Sequence, residues 1–285
     1  MALTLAEASK LIQNPLQRGV VETFARTSSV LEYLPFMDVA GNAYSYNVEQ
    51  TLPGIAFRDY GGTYEEGTGV VNPVTEKLFI LGGISAVDRA LVKTQGNVND
   101  IRAVHDAMKA KAAALTFTKT FFKGDTDTHN TEFDGLANRL TGSQALTYTT
   151  DFTLDDVDKL IDAVVGTPSV LFMNKTTGRK LNALMSAANQ ASEVVADTFG
   201  RQIPAYAGLP IGVVEEDKDG AAILADGEMY AVRMGAEEYV SGLQAGPMEV
   251  IDLGLNRTAY ETLVEWICGI AVFHPKAAAK LTAAA

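Results

Sequence analysis

A glycine-rich segment restricts the fold of this chain more than any other feature. It has five glycines among seventeen residues: GIAFRDYGGTYEEGTGV, from Gly54 to Val70. Apolar and polar residues alternate before it, from Ala43 to Val48, as in a half-buried strand, and a returning strand is predicted over Val74–Leu81. Roughly 20 turn-prone residues therefore join the two arms of a hairpin, whereas ordinary hairpin connections have about 2–5 residues. Ordering a loop of this length is costly, so we expect it to be ordered by packing on another molecule.

This glycine-rich loop is not expected to hold a phosphate. It has neither the GxxxxGK(S/T) nor the GxGxxG arrangement that places backbone N–H groups around a phosphate at the start of a helix. Asp59, Glu65 and Glu66 outnumber the single Arg58, so the charge of the segment would repel a phosphate. The sequence therefore argues against nucleotide binding by this loop.

The composition is that of a globular protein without a strong affinity for nucleic acid. With 285 residues, 47% of them apolar and 20% charged, the chain can bury a sizeable core. Its 23 basic and 35 acidic residues give a net charge of −12, and no cluster of lysine or arginine stands out. Because affinity for a nucleic-acid backbone comes from neutralising phosphates, tight and salt-sensitive binding to DNA or RNA is not expected.

No targeting or membrane segment is recognised. The N-terminal MALTLAEASK lacks the basic start and the long apolar stretch of a secretion signal, which predicts synthesis in the cytosol. The longest apolar run near the C-terminus, Trp266–Phe273, is far shorter than the ~18 residues that span a bilayer. Cys268 is the single cysteine, so it can form no internal disulfide and is predicted to be a small buried hydrophobic residue.

Helices are predicted in the first half of the chain. A capping box at Thr4–Glu7 begins a short helix that extends to about Gln13, and a second helical run covers Leu16–Thr27. The most helical segment is Asn97–Lys123, which would be about 40 Å long at 1.5 Å per residue. One face of this long helix is predicted to carry Ile101, Val104, Met108, Leu115 and Phe122. The other face is predicted to carry Arg102, Asp106, Lys109 and Lys119.

The next section of the chain alternates helices with strands. Thr153 is predicted to cap a helix, SVLFMN (169–174) to be a buried strand, and residues 175–189 to be the helix that follows it. Strands are also predicted in GLPIGVVEE (208–216) and AAILADGEMYAVRM (221–234). This alternation indicates an α/β subdomain.

Long strand patterns fill the last section, from Glu238 to Pro275. The longest of them covers Thr258–Phe273. Alternate residues of this strand are predicted to share one face: Tyr260, Thr262, Val264, Trp266, Cys268 and Ile270.

No group of residues forms a recognisable catalytic site, and the protein is not expected to be an enzyme. The chain has three histidines: His105, His129 and His274. Neither His105 nor His274 is near a GxSxG-like nucleophile motif, and both are predicted to be structural or solvated. The segment VLFMNKTTGRK places a glycine and a lysine between a strand and a helix, but no glycine precedes Gly178 by five residues. Thr176 or Thr177 as a helix cap explains this segment.

An acidic segment, Asp125–Asp134, is similar to the start of a calcium loop. Asn130 stands where such a loop needs its turn glycine, and Leu136 stands where it needs a bidentate glutamate. We therefore predict a solvated acidic loop, with weak metal binding as the less favoured alternative.

Taken in order, the predicted elements resemble the major capsid proteins of tailed bacteriophages. Four phrases carry the resemblance, in an order and spacing similar to that family: EFDGLANRLTG, VLFMNKTTGRKLNAL, AGLPIGVVEED and AYETLVEWICGIAVFHPKAAAKL. The resemblance covers nearly the whole chain. It implies an α+β protein with the phage major capsid fold, divided into an N-terminal arm (1–41), an extended loop (42–81), a peripheral domain (82–136 and 236–285) with a spine helix (97–123), and an axial domain (137–235).

The resemblance implies self-assembly, with no catalysis, cofactor or metal. Copies of the chain would form hexamers and pentamers that close into an icosahedral shell. This shell would enclose double-stranded DNA without sequence-specific binding, and it would be part of a virion assembled in the host cytoplasm. The implied partners are other copies of the chain and a portal protein, with a decoration protein as an optional partner and no membrane.

By this resemblance, the glycines let the long hairpin bend while its arms lie across a neighbouring subunit, and the loop becomes ordered on assembly. The candidate inter-subunit contacts in this loop are Arg58, Asp59, Tyr60, Tyr64, Glu65 and Glu66. Ion pairs between subunits and solvated charges at the tip remain the two alternatives for the charged members of this set.

Two features of some relatives are expected to differ in this chain. Some relatives carry a long N-terminal scaffolding segment, whereas here the arm begins within a few residues of Met1, so a separate scaffolding protein is expected. Some relatives crosslink a loop lysine to a distant asparagine. This hairpin has no lysine before Lys77, so no covalent mesh is expected.

Two other functions are compatible with the sequence. A bacterial encapsulin, a shell of similar fold that encloses a cargo enzyme, is the first alternative. A soluble α/β enzyme with a flexible lid at residues 54–70 is the second. That second alternative needs a pocket with convergent polar groups, and the sequence offers no residues to build one.

Overall fold

The computed structural model describes residues 27–95, 101–189, 193–196 and 202–284. The helices predicted before residue 27, and the predicted start of the long helix at 97–100, lie outside the described residues. The helices are α1 (Ser29–Tyr33), α2 (Arg89–Gln95), α3 (Ile101–Lys123), α4 (Leu136–Arg139), α5 (Leu154–Asp162) and α6 (Lys175–Ala187), with a 3-10 turn at Gly142–Gln144. The strands are β1 (Phe36–Asp38), β2 (Ala43–Thr51), β3 (Val70–Lys77), β4 (Phe79–Asp88), β5 (Ala145–Tyr148), β6 (Val170–Met173), β7 (Glu193–Ala196), β8 (Gln202–Tyr206), β9 (Leu209–Val213), β10 (Met229–Val232), β11 (Val240–Gln244), β12 (Glu249–Asn256), β13 (Ala259–Val272) and β14 (Ala278–Ala283).

The described strands form three sheets. A five-stranded sheet has the order β1-β11-β13-β12, with β4 paired to β13, and a seven-stranded sheet has the order β5-β14-β10-β6-β9-β8-β7. The hairpin β2-β3 is a two-stranded sheet of its own. Helices and strands are therefore mixed in one chain with largely antiparallel pairing, which confirms the predicted α+β class.

The glycine-rich segment lies at the end of the β2-β3 hairpin, as predicted. Thr51 is the last partner in β2 and Val70 is the first in β3, so the residues between them form the connection. The predicted returning strand is in fact two strands, because β3 ends at Lys77 and β4 begins at Phe79. The backbone N–H of Leu78 donates to Asn42 O at 2.9 Å, which closes the base of the hairpin, and the chain then turns to pair with β13.

The long helix α3 is present, but the face buried along its first half differs from the one predicted to be apolar. Asp106, which was predicted on the polar face, is buried, whereas Phe122 of the predicted apolar face is buried as expected. Its buried side is lined by alanine and phenylalanine, with Asp106 among them: Asp106, Ala110, Ala114, Phe117 and Phe121. Val104 is 52% exposed and Met108 is 63% exposed, and they lie about 120° and about 160° around the helix from the middle of that side at about 100° per residue. Small alanine side chains let α3 pack closely on β4 and β13, so tertiary packing selected this side. Among the described helices, none combines the length and apolar character needed to cross a bilayer.

The main core lies between α3 and the five-stranded sheet. Trp266 on β13 is 1% exposed, and its ring lies 5.0 Å from the ring of Phe36 and 5.2 Å from the ring of Phe117, centroid to centroid. The predicted inward face of β13 is confirmed by the buried residues Thr262, Val264, Trp266, Cys268 and Ile270. Burial also raises the pKa of the Cys268 thiol, which keeps this side chain in its neutral, unreactive form.

Two helix caps show one correct prediction and one error. Thr153 caps α5 in a capping box, because its hydroxyl accepts from Asp156 N and the Asp156 carboxylate accepts from Thr153 N at 2.9 Å. The cap of α6 is Asn174, whose Oδ1 accepts from Thr177 N at 2.7 Å. The predicted cap at Thr176 or Thr177 was therefore wrong. Thr177 is fully buried, and its hydroxyl accepts from Gly227 N at 2.8 Å.

The last strand joins the seven-stranded sheet. β14 pairs parallel with β5 and antiparallel with β10, and β10 also pairs with β6. Residues 278–283 thus lie in the sheet built by residues 145–232, whereas the predicted boundaries put 236–285 in the peripheral domain. The division into domains stays a prediction, and this pairing favours moving residues 278–283 to the axial part.

Two ion pairs connect α3 to the segment between β9 and β10. Lys119 Nζ lies 2.8 Å from Asp217 Oδ2, and Lys123 Nζ contacts Glu228 Oε1. The carboxylate of Asp217 also accepts from Asp219 N and Ala221 N. The hydrogen bond from Lys119, with those two backbone donors, lowers the pKa of Asp217 from 3.8 to about 2.

This low pKa predicts a loss of stability in acid. A carboxyl group whose pKa is lower in the folded state stabilises the fold above its ordinary pKa, and this contribution is lost as the pH falls toward the folded pKa of about 2. We expect the unfolding free energy of the parent protein to exceed that of Asp217→Asn at neutral pH, with the difference shrinking below about pH 4. Urea unfolding of both proteins across this pH range measures it. A difference that stays constant as the pH falls would contradict the assignment.

Candidate inter-subunit surface

The end of the hairpin, which we name the loop tip (residues 52–69), is exposed to solvent along its whole length. Large apolar side chains there have no cover from the rest of the chain. Their exposed fractions are Leu52 78%, Ile55 95%, Phe57 107%, Tyr60 109% and Tyr64 65%. Exposed apolar side chains grouped in this way mark an interaction site.

Backbone geometry explains why glycine occupies two positions of the loop tip. Gly61 has a φ of +87°, which L side chains rarely adopt, and it lies in the turn closed by the hydrogen bond from Gly62 N to Asp59 O at 3.1 Å. A Cβ on Gly67 would lie 2.7 Å from Gly54 N, so the two sides of the loop approach too closely there for any side chain. The glycines therefore serve backbone turning and backbone approach, in agreement with the argument against a phosphate site.

The six predicted contact residues all lie in the loop tip, and the structure brings two of them together. Arg58 Nη1 donates to Gly62 O at 3.1 Å, and the guanidinium lies 5.1 Å from the centroid of the Tyr64 ring. Tyr60 projects fully into solvent. Asp59, Glu65 and Glu66 are exposed and form no ion pair with a described residue. A contact of these residues with another subunit stays a prediction.

The sequence-based set missed the aliphatic and phenylalanine side chains of the same loop. Leu52, Ile55 and Phe57 are as exposed as the tyrosines, and they offer more apolar area than the charged residues do. The signal was present in the sequence, because large apolar residues inside a turn-rich segment have no core to enter.

The five-stranded sheet exposes a second apolar area on the side away from α3. Ile84 on β4 pairs with Leu263 on β13, which pairs in turn with Ile251 on β12. Ile84 is 51% exposed and Ile251 is 44% exposed, and Ile80 on β4 is 68% exposed. This row was not predicted, because its register joins residues about 170 positions apart in the sequence.

The acidic segment 125–134 is closed by its own hydrogen bonds. Asp125 accepts from Asp127 N at 3.0 Å and from Thr128 Oγ1 at 2.6 Å, and these bonds lower the pKa of Asp125. Asp134 accepts from both Thr126 N and Thr126 Oγ1 at 2.8 Å. Within the described residues, no group of three His, Cys, Asp or Glu side chains could hold a metal ion.

A cleft of about 1040 Å³ lies between α3 and residues 213–223. Three of its polar side chains have partners: the hydroxyls of Ser28 and Thr118 are 2.5 Å apart, and Asp217 binds Lys119 of α3. His129, the histidine of the acidic segment, lies 4.0 Å from Glu132 and is not a lining residue of this cleft. The enzyme alternative with a lid at 54–70 therefore gains no support from this cleft.

Comparison with known proteins gives one family match. The family model described as Major capsid protein GP7 matches residues 13–152. No curated protein matches this chain in sequence.

Solved structures of shell proteins have the same fold. A chain from Microbacterium phage Oxtober96 is similar with a TM-score of 0.66 and 14% identity, over 90% of this chain and 91% of that one. The capsid of a native GTA particle has a TM-score of 0.65 and 16% identity, over 91% of each chain. The holo-SrpI encapsulin from Synechococcus elongatus PCC 7942 has a TM-score of 0.64 and 18% identity, over 99% of this chain and 95% of that one.

These comparisons confirm the resemblance that was predicted from the sequence. The family match covers the hairpin, the spine helix and the acidic segment, and the structural matches extend the shared fold over nearly all of the chain. The chain is thus similar to the major capsid protein family over residues 13–152, and it has the fold that phage and GTA capsids share with encapsulins.

Proposed function

We propose that copies of this chain assemble as hexamers and pentamers into a closed icosahedral shell that encloses double-stranded DNA. The observation that carries the proposal is the loop tip, which holds its apolar side chains away from the rest of the subunit. In this proposal the tip of one copy covers a surface of the next copy, which is a heterologous contact that closes into a ring. The shell is the capsid of a virion that is assembled in the host cytoplasm.

The apolar side chains of the loop tip supply most of the contact energy. Fully burying one large apolar side chain contributes about 1.5–3 kcal/mol, whereas an exposed ion pair contributes about 0–1 kcal/mol. Phe57, Tyr60 and Ile55 therefore matter more for assembly than Arg58 or Glu65. The charged residues set the register of the contact and suppress wrong partners.

The net charge of −12 supports a shell that encloses DNA without binding its phosphate backbone tightly. Confinement then holds the genome, and no sequence-specific contact is needed. A portal protein, a separate scaffolding protein and an optional decoration protein complete this proposal. We also propose that the mature shell has no crosslinked mesh, since Lys77 at the hairpin base is the first lysine of the hairpin. Bands of subunit size on denaturing gels of mature particles support this, and a ladder refutes it.

Electron microscopy of the protein, expressed alone and with its neighbouring genes, tests the proposal. Closed uniform particles, or rings of five and six, support it. Compact monomers under every condition would overturn it. A variant with Phe57→Ser and Tyr60→Ser is expected to keep the thermal stability of the subunit, because both side chains are exposed, and to lose assembly. Val194→Ser is the matched control, since Val194 is 61% exposed but lies outside the loop.

An encapsulin-type compartment is the second candidate function. The observation that favours it is the fold shared with the holo-SrpI encapsulin over 99% of this chain. The contents of purified particles decide between the two candidates. Nuclease-protected DNA supports the capsid, whereas a co-purified cargo protein supports the compartment.

Trypsin sensitivity at Arg58 is expected to report assembly. Arg58 lies in the exposed loop tip, so trypsin should cut there first in the unassembled subunit. In assembled particles we expect this cut to slow by at least about tenfold, because the tip would be held on a neighbour. Mass spectrometry of the fragments over time measures both rates, and Arg58→Gln is the control that removes this cut. Equal rates before and after assembly would contradict a covered loop tip.

A further inference from the structure

The hairpin is attached to the body through a narrow root. The sheet β2-β3 does not continue into either of the larger sheets. A small aromatic cluster packs at the root, where the ring centroids of Tyr46 and Phe273 are 4.6 Å apart and those of Tyr44 and Phe273 are 6.1 Å apart. Apolar packing of this kind holds two surfaces together but leaves their relative direction weakly defined.

A directional contact lies beside this cluster. The guanidinium of Arg139 on α4 binds both carboxylate oxygens of Glu76 on β3, with Nη2 at 2.7 Å from Oε2 and Nη1 in contact with Oε1. Arg139 Nε donates to Asp134 O at 2.7 Å, so the guanidinium also binds the segment that follows α3. A planar fork bound in this way to a carboxylate permits one relative orientation.

The second arm of the hairpin meets the same carboxylate. Tyr46 on β2 donates to Val272 O at 3.1 Å, and its hydroxyl lies 3.4 Å from Glu76 Oε1. Burial, together with the negative charge of Glu76, raises the pKa of Tyr46 to about 12, so its hydroxyl stays a donor at neutral pH. Arg139 and Glu76 have side chains only 17% and 11% exposed, and breaking a pair that is this buried leaves a charge without a partner.

Space is available for the hairpin to move when this contact is absent. A cleft of about 410 Å³ separates the base of the hairpin from residues 139–144 and from the end of β13. Its lining includes Tyr46 and Glu76 of the hairpin, and Arg139, Gln144 and Pro275 of the body. The hairpin can therefore pivot into the cleft, and the ion pair opposes that motion.

We propose that Arg139, Glu76 and Tyr46 form a hairpin latch, which fixes the direction of the extended hairpin before assembly so that the loop tip is presented to a neighbouring subunit. Arg139 is a positioning residue in this scheme, since it acts on the contact through β3. The assembly part of the inference rests on the proposed function, whereas the fixed direction of the hairpin does not.

The direction of the hairpin can be measured in the unassembled subunit. Spin labels at Thr51→Cys on the hairpin and Lys180→Cys on α6 occupy exposed positions, and the native Cys268 is buried and unreactive. Double electron–electron resonance should give one narrow distance distribution with the latch intact. Glu76→Gln and Arg139→Gln are each expected to broaden it, and Arg139→Lys, which keeps the charge but loses the fork, should fall between. Asp252→Asn is the matched control, because it breaks the 2.8 Å pair with Arg102 far from the hairpin.

The same variants are then tested for assembly by particle yield. If the hairpin points in the direction that permits assembly for only roughly a tenth of the time, the apparent affinity between subunits falls about tenfold. The particle yield should therefore fall in Glu76→Gln and stay unchanged in Asp252→Asn. A distribution that stays narrow in both latch variants would overturn the inference. A broadened distribution with unchanged particle yield would overturn the role of the latch in assembly. If the parent chain forms no particles, the proposed function fails, while the distance measurement still decides the latch.

Discussion

Replacing Trp266 by alanine is expected to lower the free energy of unfolding by about 3–5 kcal/mol. Trp266 is 1% exposed and packs against both Phe36 and Phe117, so its removal leaves a cavity between α3 and the five-stranded sheet. Its indole Nε1 also donates to Gln244 Oε1 at 3.2 Å, and this bond would be lost. Few single changes in the chain remove so much buried apolar area.

Urea unfolding of the unassembled subunit measures this loss. Ile80→Ala is the control on the same sheet, because Ile80 is 68% exposed on the side away from α3. We expect it to change the unfolding free energy by about 1 kcal/mol or less. Equal losses in the two variants would contradict the assignment of the main core to the α3 side of the sheet.

Replacing Glu228 by alanine is expected to lower the free energy of unfolding by about 3 kcal/mol. Glu228 is 4% exposed and binds Lys123 of the spine helix. Its carboxylate also accepts from the hydroxyl of Tyr230 at 2.7 Å and from Ala225 N at 2.9 Å. Removing it leaves the fully buried Tyr230 without this acceptor and leaves the ammonium of Lys123 without its partner.

A solvated ion pair supplies the control for this prediction. Lys159 Nζ lies 2.5 Å from Asp155 Oδ2, but these side chains are 57% and 74% exposed. Asp155→Ala should therefore change the unfolding free energy by only about 0.5 kcal/mol. Comparable losses in Glu228→Ala and Asp155→Ala, measured by urea unfolding, would show that the buried pair contributes no more than a surface pair.

Patterns with a short range in the sequence were enough to predict much of the fold. The alternation over Ala43–Val48 predicted β2, the helix cap at Thr153 predicted α5, and the apolar run 169–174 predicted β6. The inward face of β13 also followed from its alternation. These features depend on neighbouring residues along one element, so no knowledge of the partner element was needed. The exposed glycine-rich loop was equally predictable, because nothing near it in the sequence could cover it.

The tertiary structure decided everything that depends on which elements meet. A helix such as α3 has two sides with apolar residues, and only its contact with β4 and β13 determined that Ala110 is buried and Met108 is not. The pairing of β14 with β5 and the ion pair between Arg139 and Glu76 join residues far apart in the chain, by 135 positions for Lys280 and Ala145 and by 63 for the ion pair. The sequence by itself thus determined most of the elements and the resemblance to capsid proteins, since both depend on local patterns. Packing between distant segments decides which faces are buried, the order of the strands in each sheet and the contacts at the root of the hairpin. Local sequence patterns do not predict that packing.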